Sequence, residues 1–77
     1  MDYKKILTDI ARAIVDSPDQ VSVTETVEED EIKLVLTVAP EETGMVIGRH
    51  GKIAKAIRSV MKVAANGSGK RITVEIE

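Results

Sequence analysis

The chain of 77 residues is long enough for one small domain with a single hydrophobic core and too short for a second core. It contains no cysteine, which excludes disulfide bonds, and its one aromatic residue, Tyr3, excludes a surface on which bases stack on aromatic rings. Because it has neither a long apolar run nor an apolar signal-peptide core, we expect a cytoplasmic protein with no membrane contact.

The formal net charge of −2 argues, on composition alone, against a protein that binds nucleic acid. The two signs are, however, separated along the chain. Residues 1–43 carry four basic and eleven acidic side chains, a net of −7, whereas residues 44–74 carry seven basic and no acidic ones, a net of +7. Since local charge determines the field that a polyanion meets, the second segment keeps nucleic acid open as a partner.

Residues 2–16 have the apolar periodicity of an amphipathic helix, with Asp2 as a candidate N-cap. The apolar positions recur at steps of three and four: Tyr3, Ile6, Leu7, Ile10, Ala13 and Ile14. Pro18 ends the helix, because it lacks a backbone N–H and disfavours a helical Ser17. We expect this helix to pack on a sheet, with a partner-binding surface as the alternative.

From Gln20 onwards the apolar period changes to two, which predicts a β-hairpin over residues 20–38 with one buried face. The residues that share a face of the first strand are Val21, Val23, Glu25 and Val27. Those that share a face of the second are Ile32, Leu34, Leu36 and Val38. The acidic residues 28–30 form the turn between them.

Two helices and a strand complete the predicted fold. Pro40 indicates the start of a short helix that ends near Ile47, and a longer helix ends near Ala65, before Asn66 and Gly67. At 100° per residue, one side of the long helix is apolar: Ile53, Ile57, Val60, Met61 and Ala64. The opposite side is basic: Lys55, Arg58 and Lys62.

Residues 70–76 form the last strand, which gives the order α-β-β-α-α-β. A crossover through two helices makes the second and third strands parallel if they are neighbours. The sequence therefore predicts an α+β fold, with a mixed three-stranded sheet that three helices cover on one face.

The segment between the last two helices contains two glycines three apart, Gly48 and Gly51, which enclose Arg49 and His50. Glycine allows a tight turn and a close approach of the backbone to a ligand. The helix that follows presents unpaired amides and the positive end of its dipole, and Arg49 adds a planar donor group suited to phosphate. These features are typical of a site for a sugar-phosphate backbone.

The string Val-Ile-Gly-Arg-His-Gly-Lys-Ile, residues 46–53, resembles the signature of the KH domain, whose GXXG loop holds about four nucleotides of single-stranded RNA. The element order is similar to the type II KH fold, and the resemblance covers residues 1–77 as a single KH domain. It implies an RNA-binding set that consists of Val46, Ile47, Gly48, Arg49, His50, Gly51, Lys52, Lys55, Arg58 and Lys62.

Each part of this set has an alternative role. Val46 and Ile47, with Leu36 as a weaker candidate, would form the aliphatic floor under the bases, but their alternative is packing in the core. For the basic side of the long helix, the alternative is a solvated helix face. His50 contacts either the nucleic-acid backbone or solvent.

A single KH module resembles the small bacterial KhpA proteins, and the turn Asp-Ser-Pro-Asp-Gln-Val at residues 16–21 fits that family. The resemblance implies an RNA chaperone or post-transcriptional regulator that forms a homodimer or pairs with a larger KhpB-like protein containing a KH domain. Ile53 is a candidate contact for self-association. The centre of the loop, Arg-His, departs from the common pair of basic residues.

The sequence does not predict an enzyme, because its only histidine, His50, has no plausible nucleophile or triad partner. No metal site or cofactor is predicted either. Two functions remain open: an RNA-binding module, and a dimerisation module with secondary or no RNA binding. The acid-free segment favours the first. Single-stranded DNA stays open as a ligand, because contacts to the backbone alone do not read the 2′-hydroxyl.

Overall fold

The computed structural model describes all 77 residues and has three helices and three strands in the predicted order. The helices are α1 (Tyr3–Ile14), α2 (Thr43–Ile47) and α3 (Lys52–Ala64). The strands are β1 (Ser22–Val27), β2 (Glu31–Thr37) and β3 (Arg71–Ile76). Short 3-10 turns occupy Pro18–Gln20, Pro40–Glu42 and Arg49–Gly51. None of the helices is both long enough and apolar enough to span a lipid bilayer.

The three strands form one sheet in the order β1-β2-β3. Strand β2 pairs antiparallel with β1 and parallel with β3, so that Leu34 lies opposite both Glu25 and Val74. The crossover between the parallel strands runs through α2 and α3. This arrangement confirms the predicted α+β fold with a mixed three-stranded sheet.

The core lies between one face of the sheet and the helices. Along β2, every second residue is buried, and these residues are Ile32, Leu34 and Leu36. The predicted buried face of β1 is only partly correct: Val23 is buried, but Glu25 is exposed and Val27 is 56% exposed. The helices therefore cover the start of β1 and leave its end, next to the acidic turn, in solvent.

Helix α1 begins as predicted, with the Asp2 carboxylate accepting a hydrogen bond from the Lys5 backbone N–H at 3.0 Å. It ends at Ile14, two residues before the predicted boundary, because Val15 is already extended. Its innermost side chains are Leu7 and Ala11, and Ala13 is exposed. Ala13 lies about 200° around the helix from Ala11, which turns it away from the sheet.

The buried side of α3 only partly matches the predicted one. Ile57 and Met61 are buried as predicted, together with Ala54, whereas the predicted residues Ile53 and Val60 are 37% and 50% exposed. Apolar residues cover more than half of the circumference of α3, so their period alone could not determine which side faces the sheet. The small side chain of Ala54, 3% exposed, lies on the buried side.

Candidate nucleic-acid interface

The loop at residues 48–51, called here the glycine loop, begins with a backbone conformation that suits only glycine. Gly48 has φ 76° and ψ 174°, and its N–H closes α2 by donating to the Gly44 carbonyl at 2.8 Å. A Cβ on Gly48 would lie 2.6 Å from Cγ1 and 2.9 Å from Cβ of Ile53. Glycine is therefore required here both for the backbone angles and for the contact with the first turn of α3.

The second half of the glycine loop turns through two consecutive residues with positive φ. His50 has φ 58° and ψ 25°, an uncommon conformation for a residue other than glycine, and Gly51 has φ 72° and ψ 15°. The Gly51 N–H donates to the Gly48 carbonyl at 3.1 Å and closes the turn. The side chains of Arg49 and His50 are exposed, so both are accessible to a ligand.

Helix α3 starts directly after the glycine loop, and its N-terminus is unusual in its charge. No side chain caps it, no acidic residue lies in its first turn, and Lys52 is its first residue. Because the N-terminus of a helix carries partial positive charge, a cation there costs about 0.3–1 kcal/mol. A bound anion would offset that cost and would accept hydrogen bonds from the unpaired amides of the first turn.

A groove with a volume of about 290 Å³ runs between α3 and β3. Lys55, Arg58 and Lys62, the basic side of α3, form one wall together with Ser59, and the other wall is Ile72, Thr73 and Val74. The Nε of Arg58 donates to the Val74 carbonyl at 3.1 Å, which holds the guanidinium at the groove. Ser59, which follows Arg58 on α3, and the β3 residues were not among the predicted site residues. The β3 residues could not be predicted locally, because their proximity to α3 depends on the crossover.

The basic residues of the acid-free segment are unpaired. The chain contains two ion pairs, Lys5 with Asp9 at 2.8 Å and Lys33 with Glu75 at 3.5 Å. Neither involves any of the seven basic residues of the segment, which are Arg49, Lys52, Lys55, Arg58, Lys62, Lys70 and Arg71. None of these seven side chains forms an ion pair within the protein. Asp30 and Glu31 line one cavity together with Lys62, Lys70 and Arg71, so the charge available to a polyanion lies mainly on Arg49, Lys52, Lys55 and Arg58.

The predicted aliphatic floor is mostly inside the core. Val46 and Leu36 are both fully buried, and both belong to the main hydrophobic cluster. Ile47, the next residue on α2, is 38% exposed. Among these three side chains, only that of Ile47 presents apolar surface beside the glycine loop.

The family model described as KhpA/KhpB, KH domain, matches residues 4–76 of the chain. The chain belongs to this KH-domain family. It is 53% identical to the RNA-binding protein KhpA of Clostridium acetobutylicum, and 48% identical to that of Clostridium perfringens. In both cases the similarity covers 95% of the chain and 97% of the relative. The RNA-binding protein KhpA of Treponema pallidum is 42% identical, over 95% of the chain and 91% of the relative.

The residues that the family model matches include the glycine loop and the elements on either side of it. The family match contains both α2 and α3, the loop between them and the groove beside β3. In this KH domain, the exposed side chains of Arg49, His50 and Lys52 lie at the end of α2 and the start of α3. The basic side of α3 continues from there along the groove.

Proposed function

We propose that this KH domain binds single-stranded RNA, with the sugar-phosphate backbone on the glycine loop and the strand extending along the basic side of α3. The observation that carries the proposal is the unpaired positive charge around a loop that leads into an uncapped helix N-terminus. Relatives at 53% and 48% identity bear the name RNA-binding protein, which favours RNA among the polyanions.

The proposed site residues fall into three groups. Gly51, with open space around its Cβ position, lets the backbone approach a phosphate, and Gly48 holds the loop against Ile53. Arg49, His50 and Lys52 contact phosphates from the loop and the first turn of α3. Lys55, Arg58 and Lys62 follow the strand along the groove, where Arg58 is held by Val74. Ile47 provides apolar surface to a base, and Val46, being fully buried, supports α2 from beneath.

The test is the double substitution Arg49→Asp with His50→Asp. Both side chains are exposed, and Asp tolerates the positive φ of residue 50 better than most residues, so the fold should be kept. The new carboxylates repel phosphates, and the change also removes the donors of Arg49. We expect the affinity for a single-stranded RNA oligonucleotide, measured by fluorescence anisotropy, to fall at least about tenfold. A tenfold loss corresponds to about 1.4 kcal/mol of binding free energy.

A matched control distinguishes the effect of substituting the glycine loop from the effect of changing the net charge of the protein. The pair Lys4→Asp with Gln20→Asp makes the same charge change on exposed residues outside the glycine loop, and its RNA affinity should stay close to that of the parent. If the loop variant stays folded and binds RNA as tightly as the parent, the glycine loop is not the site. A DNA oligonucleotide of the same sequence decides between RNA and single-stranded DNA.

Self-association is a second proposed property, and it is favoured by the side of α3 that does not face the sheet. Ile53, Ala56, Val60 and Val63, the exposed apolar stripe of α3, are spaced by three, four and three residues. This is the spacing with which one helix packs along another. With Ile10 and Ile14 of α1, most of the stripe lines an apolar groove. We propose that α3 of a second copy packs there to form a homodimer.

Val60→Asp tests this proposal, because Val60 is 50% exposed and lies two turns from the glycine loop. Sedimentation at micromolar concentration should show a dimer for the parent and a monomer for the variant. Ile53→Asp is less informative, because Ile53 also packs against Gly48. A parent that remains monomeric at every accessible concentration would contradict self-association, whereas a dimer that binds no RNA would favour the dimerisation module.

We further propose that the chain acts as an RNA chaperone or post-transcriptional regulator together with a larger KhpB-like protein. The joint description of the matching family as KhpA/KhpB supports such a relationship. A KH domain of the partner would compete with the second copy for the exposed apolar stripe of α3. Adding the KhpB-like protein of the same organism should therefore convert homodimer into heterodimer, and Val60→Asp should weaken both. A heterodimer that is insensitive to Val60→Asp would place the partner elsewhere.

A further inference from the structure

Glu42 is the only charged residue that is buried in the protein, at 6% exposure, and it lies outside the proposed RNA site. Each oxygen of its carboxylate accepts a hydrogen bond from Ser17, which lies in the turn between α1 and β1. Oε1 accepts from the backbone N–H of Ser17 at 2.9 Å, and Oε2 accepts from the Ser17 hydroxyl at 2.8 Å. The pair thereby connects the turn between α1 and β1 to the start of α2, across 25 residues of sequence.

A buried carboxylate with two hydrogen bonds is a weak source of stability. Removing it from water carries a large penalty, which the two bonds to Ser17 largely offset, and an apolar pair of similar shape could be as stable. What such a pair does define is geometry, because both bonds form only when the two segments have one relative position. The pair therefore acts on the position of the element that Glu42 holds.

That element is α2, a short helix whose position depends on its contacts with the rest of the protein. It has only five residues, it includes Gly44 in its first turn, and Val46 is its single buried residue. Isolated helices of this length are unstable in water. Its C-terminal end is held where Gly48 packs against Ile53, and its N-terminal end is held by Glu42. The glycine loop continues directly from α2, so a shift of α2 displaces the loop.

We infer that Glu42 and Ser17 are positioning residues, which hold α2, and through it the glycine loop, in the conformation that binds RNA. This inference rests on the proposed RNA-binding function. Neither residue lines the groove between α3 and β3, so neither contacts a strand bound there. The pair acts through geometry and not through charge, so glutamine can replace Glu42. Its amide oxygen accepts from the Ser17 N–H, and its amide nitrogen donates to the Ser17 hydroxyl.

The experiment compares Glu42→Ala, Ser17→Ala and Glu42→Gln with Val23→Ala, a core substitution on β1 that lowers stability without touching α2. Two measurements are made on each folded variant: the affinity for a single-stranded RNA oligonucleotide, and amide hydrogen exchange in the absence of RNA. For Glu42→Ala we expect a loss of affinity of about fivefold, the low end of the coupling between distinct sites. Relative to the parent, we also expect amide exchange in Glu42→Ala to accelerate more over residues 43–51 than in β2.

The smaller change Ser17→Ala removes only the hydroxyl bond and should produce a smaller effect of the same kind, which keeps the test open if Glu42→Ala does not fold. Glu42→Gln should keep the parent affinity. The inference is overturned if Glu42→Ala binds RNA like the parent, or if Val23→Ala loses as much affinity. If the parent binds no RNA, the proposed function fails, and the exchange of residues 43–51 still decides whether the pair positions the loop.

Discussion

Gly48→Ala is expected to be the most damaging single-methyl addition at any glycine of this protein. The backbone at φ 76° and ψ 174° lies in a region that is almost restricted to glycine, and placing alanine there costs about 1–3 kcal/mol. The added Cβ would also lie 2.6 Å from Cγ1 and 2.9 Å from Cβ of Ile53. Side-chain rotation moves Cγ1 but not Cβ, so the backbone must shift, at a further cost of about 1–3 kcal/mol.

The sum, about 2–6 kcal/mol, is a large part of the stability of a small domain. It should lower the Tm, measured by circular dichroism, by roughly 8 °C or more. Gly51→Ala is the first control: φ is 72° but nothing lies within 4 Å of its Cβ, so it should cost only about 1–2 kcal/mol.

Gly44→Ala is the second control and should have the opposite sign. Gly44 lies in α2 without a positive φ and with free space around its Cβ, so alanine should stabilise the protein by about 0.4–1 kcal/mol. Chemical denaturation should therefore rank the variants Gly44→Ala, parent, Gly51→Ala and Gly48→Ala in decreasing stability. If Gly48→Ala is no less stable than Gly51→Ala, the close contact of residue 48 with Ile53 does not add to the cost of the substitution.

Three further outcomes are expected. Asp2→Ala removes the carboxylate that caps α1 and should cost about 1 kcal/mol in thermal unfolding, whereas Asp2→Asn should cost much less; equal losses would show that the cap is not a hydrogen bond. His50→Gly relieves the positive φ of residue 50 and should raise stability by about 1 kcal/mol, which urea denaturation can measure; a loss would mean that the imidazole makes stabilising contacts. RNA affinity should fall with salt with a logarithmic slope of about −2 to −3, as three to four phosphate contacts on a single strand imply, and a slope near zero in anisotropy titrations would exclude the electrostatic site.

Local patterns were sufficient to predict most of the elements. The period of two placed Ile32, Leu34 and Leu36 on the buried face of β2, because successive strand residues point to opposite faces and only one face is covered. The Asp2 cap depends on residues three apart in sequence, so it too could be predicted locally. On α3 the local pattern was ambiguous, and the sheet selected the side with Ala54, Ile57 and Met61.

By itself, the sequence determined the element order, the position of the glycine loop and the separation of charge, because each depends on neighbours along the chain. Only the tertiary structure decided which residues that are distant in sequence come into contact. Arg58 reaches Val74, 16 residues later, only because the connection after α3 places β3 beside that helix. Glu42 reaches Ser17, 25 residues earlier, only because the β1–β2 hairpin brings the start of α2 back to the end of α1. The same packing placed Val46 in the core and left Ile47 at the surface, because adjacent residues of a helix point about 100° apart and only the neighbouring elements decide which one is covered.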